Sequence, residues 1–301
     1  MTKELIKPEL EALKRMVTNG KSENSKIAYN HALDGFLSWY QAQGRPVLSK
    51  AVFDAYKELL TGRGFSPSTI NLHLSAVRAL AREAVDNGLL DPALGNPVIH
   101  AKGVRTAGVR SGNWLTEKQA QALIQAPDIK TLKGLRDRAI LAVMLGGGLR
   151  RSEVAALNFG HIQQRDGRWV IVDLVGKGNR TRTVPIPSWT KQAIDEWTQA
   201  GNFTDGHIFR SINRGDNITG GDISNQAIAD VVKQYAAQCE LNIAAHDLRR
   251  TFAKLAKARG AELDQIQLTL GHASIQTTER YLGTRQDLTS APCDLLKIHL
   301  E

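Results

Sequence analysis

The chain has 301 residues, 39 Lys and Arg against 30 Asp and Glu, and a formal charge of +9. At roughly 100–200 residues per domain this length predicts two domains, and the 42% hydrophobic content excludes a disordered chain. The longest apolar stretch, Ala139–Leu149, falls well short of the ~18 residues of a membrane span. The opening MTKELIKPELEALK lacks a signal-peptide core, and Cys239 and Cys293 alone exclude a disulfide framework or a Cys-based zinc site. A cytoplasmic protein without a membrane partner is expected. Residues 1–112 carry 15 basic against 10 acidic side chains, and residues 113–301 carry 24 against 20. A polyanion touched by both halves fits this balance, as does a soluble protein that is simply basic.

The first hundred residues read as helical. Asn24-Ser25 is a candidate cap for a helix through Ile27, Tyr29, Leu33, Phe36 and Trp39, broken at Gly44-Arg45-Pro46. A second helix follows Ser49 through Val52, Tyr56 and Leu60. The next loop ends at Pro67, with Ser68 as the expected cap of a helix through Ile70, Leu74, Val77 and Leu80 that ends near Gly88. Residues 96–113 are rich in Gly and Pro, basic and free of acids, and are expected to be an interdomain linker.

A larger region begins at Leu115. Thr116 starts a helix, and Asp137–Leu145 is a strongly apolar one ended by Gly146-Gly147-Gly148. Trp169–Val175 and Arg182–Ile186 read as strands joined by a hairpin turn at Gly176–Arg180. Helices are expected at Lys191–Ala200, Ser224–Cys239, His246–Arg259, Leu263–Leu270 and Ile275–Tyr281. The fold class is therefore mainly α, with a helical N-terminal domain and a mostly helical second domain holding a small antiparallel β-sheet.

Four segments concentrate reactive side chains. In Gly148-Leu149-Arg150-Arg151-Ser152-Glu153, Arg150 stands between two helices, with Glu153 three residues on. It reads either as a surface Arg–Glu pair or as an Arg oriented into a cleft by a bidentate contact. Lys177 at the hairpin tip is a solvated turn residue or a mobile proton donor. His246 and Arg249, spaced i and i+3, share a helical face close to a helix start. They read as a capping His with a surface Arg, or as an anion site. In LGHASIQTTERYL, His272 follows an apolar helix and Tyr281 comes nine residues later, where a half-buried packing Tyr is the plain alternative. No third ligand accompanies the two His at metal-site spacing.

Arg, Lys, His-x-x-Arg, His and Tyr in this order, within GLRRSE, GKGNRTRTVPIP, HDLRRTFA and LGHASIQTTERYL, resemble the tyrosine recombinase/integrase family. The resemblance runs from about Leu115 to Leu282, and the helical N-terminal part with its basic linker is similar to the family's core-binding domain. With no room before residue 24 for an arm-binding domain, the chain looks like the compact two-domain, Xer-like form.

The resemblance implies a C-shaped clamp on DNA. Its expected parts are an N-terminal core-binding domain at 1–95, a linker at 96–113, and a catalytic domain at 114–301 with a C-terminal docking tail. It implies that Tyr281 attacks a phosphodiester to form a 3′-phosphotyrosyl bond. Arg150 and Arg249 would clamp the non-bridging oxygens, Lys177 would protonate the 5′-oxygen leaving group, His246 would move a proton, and His272 would hydrogen-bond the phosphate. Glu153 matches the acid that supports the active-site Arg. A Tyr with an ordinary pKa near 10 is a poor nucleophile, so these cations and the base are what make attack feasible. The covalent link conserves the bond energy, so no metal or other cofactor is expected. The implied partners are double-stranded DNA with paired half-sites, a tetramer on that DNA, and an accessory protein in some systems. Lys26, Arg78, Arg82, Lys102, Arg105 and Arg110 are the candidate DNA contacts. Two other readings stay open: an enzyme like the type IB topoisomerases, and a DNA-binding module without activity.

Overall fold

Apolar residues at helical spacing, closed by polar caps, build the first part of the chain. The computed structural model describes residues 7–105, 113–176 and 181–282, and the chain divides into two units, Met1–Val109 and Arg110–Glu301. The first unit holds α1 (Lys7–Thr18), α2 (Glu23–Ala42), α3 (Lys50–Gly62), α4 (Pro67–Asp86) and α5 (Pro92–Ile99). Its core is an aromatic cluster of Phe36, Tyr40, Phe53 and Tyr56 backed by Leu33, Leu74 and Val77. The Tyr56 hydroxyl meets His73 Nδ1 at 2.9 Å inside it.

Three local expectations change here. Ser66, not Ser68, caps α4: its hydroxyl accepts from Thr69 N, and Pro67 takes the first helical position, where a missing N–H costs nothing. Ser22, not Asn24-Ser25, stands before α2. The segment read as a linker begins inside α5, which Asp91 caps through Ala93 N. Gly95 is there for contact, since a Cβ would lie 2.2 Å from Val85 Cγ2 on α4. The chain beyond stays with this unit: Asn71 of α4 holds Val104 through both its N–H and its C=O, each at 3.0 Å.

The second unit starts with α6 (Glu117–Gln125), where Thr116 and Gln119 form a capping box. α7 (Leu132–Gly146) is buried on nearly every side and forms the centre of the core. α8 (Arg151–Ala155) and a 3₁₀ turn lead to a sheet of β1 (Ile162–Arg165), β2 (Arg168–Val175) and β3 (Thr181–Pro185). The sheet is antiparallel with β2 central, Ile171 facing both Ile162 and Val184. α9 (Ser188–Ala200) packs on α7, and its Trp197 donates to Ile208 O at 2.8 Å. A separate hairpin, β4 (Arg210–Ile212) and β5 (Ile218–Asp222), precedes α10 (Asn225–Gln238), α11 (Ala245–Ala258), α12 (Leu263–Leu270) and α13 (Ile275–Leu282). This hairpin and β1 add to the single pair of strands expected. No helix among the described residues is long and apolar enough to cross a membrane.

Asp137 on α7 is fully buried and accepts from Arg136 Nε and Nη2, Lys133 Nζ and the Tyr235 hydroxyl at 2.7–3.1 Å. Burial and this carboxylate push the Tyr235 hydroxyl well above its ordinary pKa. Asp137→Ala leaves the buried Arg136 without its counter-charge and is expected to cost about 3–5 kcal/mol. Urea unfolding followed by tryptophan fluorescence measures it, and a loss below about 1 kcal/mol would contradict the role given to this network.

Candidate active site

The C-terminal end of α7 and the N-terminal end of α11 meet at one place. Gly148 O and Leu270 O both accept from Arg249, Gly148 O at 2.6 Å, and Arg249 is 1% exposed. One turn earlier on α11 stands His246. Both residues line a cleft of about 860 Å³ whose other walls include Arg150, Ser152 and, on α10, Gln226 and Lys233. Arg150 thus shares one cleft with His246 and Arg249, which lie almost a hundred residues further along the chain. The i, i+3 spacing on α11 and the glycine-ended α7 are the local causes.

Arg150 is held from behind. Glu153, 5% exposed, accepts Arg150 N at 2.8 Å and Arg150 Nη1 at 2.7 Å. The same carboxylate receives Arg182 Nη1 at 2.8 Å and Arg182 Nη2 at 2.9 Å, an end-on fork. Burial alone would raise the Glu153 pKa. The hydrogen bonds from Arg182 and from Arg150 N, with the charges of both arginines, outweigh it and hold the group at about 2. Arg150 lines the cleft and meets Glu153 through its backbone N–H and one guanidinium nitrogen, while the two-nitrogen fork on this carboxylate belongs to Arg182.

Arg182 is the residue that the sequence analysis missed. Its signal was the strand alternation: Arg182 and Val184 lie two apart on β3 and share the face turned inward. Arg182 Nε also donates to Thr269 O at 2.8 Å, and Gly271 fits over the same side chain. Gly271 sits at φ +60, and a Cβ there would come within 2.8 Å of Arg182 Cδ. His272 follows this left-handed turn, with Nδ1 2.9 Å from Thr278 Oγ1 on α13. Burial, then Arg249, Arg150, His246 and Arg182, lower the His272 pKa to about 4. Burial and the neighbouring Arg249 and Arg250 lower that of His246, against Asp247. Both imidazoles are neutral at pH 7.

Tyr281 falls on α13, between the buried Thr278 and Leu282 that seat the helix, and its side chain is outside the described atoms. Lys177 and Arg110, like the tail from 283 on, lie outside the described residues. Val175 and Thr181 form a paired position of β2 and β3, on either side of Lys177 in the sequence. Among the candidate DNA contacts, Arg82, Lys102 and Arg105 are exposed, and Lys26 pairs with Glu23 at 2.7 Å. Arg78 is half-buried and donates to Ala101 O at 2.7 Å and Ser75 Oγ at 2.9 Å, which pins the chain after α5. Among the described residues, no group of three or more His, Cys, Asp or Glu is placed to hold a metal ion.

A carboxylate held below its ordinary 4.5 contributes stability that is present above that value and lost as pH falls toward about 2. Glu153→Gln is expected to lower stability by about 3 kcal/mol above pH 5, with the gap to wild type closing as pH approaches 2. Urea unfolding across that pH range checks it, and a gap independent of pH would refute the electrostatic account.

Residues 113–287 match the phage integrase family. The tyrosine recombinase XerD of Xanthomonas axonopodis pv. citri (strain 306) is 30% identical over 285 residues, covering 89% of this chain and 90% of its own. The tyrosine recombinase XerC of Xylella fastidiosa (strain 9a5c) is 31% identical over 273 residues, covering 88% and 87%. The crystal structure of the XerH site-specific recombinase bound to palindromic difH substrate shares the fold. Its TM-score is 0.73 at 18% identity, over 92% of this chain and 80% of that one. On the extent of the family match and of the XerD and XerC similarity, the chain belongs to the phage integrase family and is a tyrosine recombinase.

Proposed function

We propose that this chain is a site-specific DNA recombinase that uses Tyr281 as its nucleophile. The observation that carries the reading is the convergence of Arg150, His246 and Arg249 on one cleft. Arg150 and Arg182 share Glu153 as the carboxylate behind them, and the cleft itself is lined by Arg150, Arg151, Lys233 and Arg249 against Asp230. That excess of positive charge suits a phosphate, and more so the pentacoordinate transition state in which its charge grows.

In this reading the Tyr281 oxygen attacks the phosphorus of a DNA phosphodiester. The bond from phosphorus to the 5′-oxygen breaks, leaving a 3′-phosphotyrosyl link and a 5′-hydroxyl. Arg150 and Arg249 bind the non-bridging oxygens. The carbonyls of Gly148 and Leu270 fix Arg249 in advance, so little reorganisation is left for the moment of reaction. His246, a neutral imidazole, suits the role of base toward the Tyr281 hydroxyl. Lys177 is the proposed acid for the 5′-oxygen, and His272 the proposed donor to the phosphate. Attack by a 5′-hydroxyl from another strand reverses the step and completes exchange. The partner is double-stranded DNA, bound at paired half-sites by a tetramer whose 283–301 tails dock on neighbouring protomers. Backbone contacts from Arg82, Lys102 and Arg105 would supply affinity but little sequence choice.

Incubation with nicked, partly randomised duplexes, followed by denaturing gels and sequencing of the attached DNA, tests this proposal. The wild type is expected to form a covalent adduct. Tyr281→Phe is expected to lose it while binding DNA nearly as well, and Arg150→Ala to slow it by about 10²–10³-fold. Strand cleavage unchanged in Tyr281→Phe would remove Tyr281 from its role.

A further inference from the structure

We propose that Thr278 is a positioning residue whose hydroxyl donates its hydrogen to His272 Nδ1, holding the imidazole in the tautomer with its proton on Nε2. The functional part of this proposal rests on the reading of His272 as a donor to phosphate.

The contact itself, 2.9 Å between Thr278 Oγ1 and His272 Nδ1, fits either direction of donation. The surroundings of Thr278 choose between them. Thr278 is 0% exposed, so water is not available to its hydroxyl. The usual helical acceptor for a Thr hydroxyl is the carbonyl three or four residues back, here Ile275 or Ser274. The Thr278 hydroxyl bonds neither; among the described residues its one hydrogen-bond partner is His272. If the ring donated through Nδ1, the hydroxyl hydrogen would be buried without an acceptor, the arrangement that folded proteins avoid. If the hydroxyl donates, its hydrogen is satisfied and Nδ1 must present its lone pair.

The ring is neutral, so it has a single N–H, and the tautomer decides where that N–H stands. Among the described residues, the charged and titratable groups that act most strongly on His272 are Arg150 before α8, Arg182 on β3, and His246 and Arg249 on α11. All of these oppose a second proton. With Nδ1 committed to Thr278, the remaining nitrogen carries hydrogen and is a donor. The other tautomer would offer a phosphate oxygen a lone pair. Thr278 is thus fixed twice, by its hydroxyl on His272 and by burial beside Leu282 in the helix that carries Tyr281.

The test is long-range ¹H–¹⁵N correlation of the histidine rings in the full chain at pH 7, with His272 assigned by His272→Gln. Cleavage of a nicked, randomised duplex pool is measured alongside in wild type, Thr278→Val and Thr278→Ser. The expected results are an Nε2–H pattern with a hydrogen-bonded Nδ1 in wild type, loss of that Nδ1 signature in Thr278→Val, and its return in Thr278→Ser. Cleavage is expected to fall about tenfold or more in Thr278→Val and to recover in Thr278→Ser. An Nδ1–H pattern in wild type overturns the proposal. So does a Thr278→Val chain that cleaves at the wild-type rate. The spectra are recorded without DNA, so a wild type that cleaves nothing counts against the recombinase reading, while the tautomer stands or falls on its own signal.

Discussion

One carboxylate sits between two guanidinium groups, and most of the site depends on it. Glu153 receives Arg150 from the cap of its own short helix and Arg182 from β3, while Arg182 reaches on to the end of α12. Three separate segments are therefore referred to a single pair of oxygen atoms. A buried ion pair is weak evidence for stability, because desolvation offsets the attraction. Removing one partner is costly because the others lose their counter-charge, and beyond that the value of the pair is positional. Arg150, with a quarter of its side chain exposed, needs a rigid backing if it is to meet an anion in one orientation.

The two histidines follow from the same charge arrangement. Burial first, and then arginines that cannot be discharged, strip the nearby imidazoles of their second proton. A site with fixed cations and neutral rings separates two tasks. Positive charge rests on groups that never titrate, while the rings stay neutral at pH 7, His272 with a pKa of about 4.

The helices of the second unit were legible because their apolar residues keep helical spacing and their ends carry polar caps or glycine, as in α7 and α12. α5 was not legible, because Gly95 and Pro97 look like chain breakers. Gly95 is a packing residue, and only the position of Val85 across the helix pair reveals it. β1 reads Ile-Gln-Gln-Arg and turns most of its side chains to solvent, leaving little pattern to find. Among the candidate site residues, the order of Arg150, His246, Arg249, His272 and Tyr281 could be read from motifs. Arg182 had only a two-residue alternation to mark it. Which of Thr277 and Thr278 faces inward depends on how α13 lies on its neighbours, and that is tertiary information.

Arg249 has a consequence for how variants of this chain are interpreted. Its guanidinium joins the turn after α7 to the end of α12 from a fully enclosed position, so it is a keystone of the scaffold as well as a wall of the cleft. Removing it disturbs architecture and chemistry together, and a lost activity could not be apportioned between them. Arg150, whose side chain is partly open to solvent, separates the two far better. In this fold the more buried of two matching arginines is the less informative one to change.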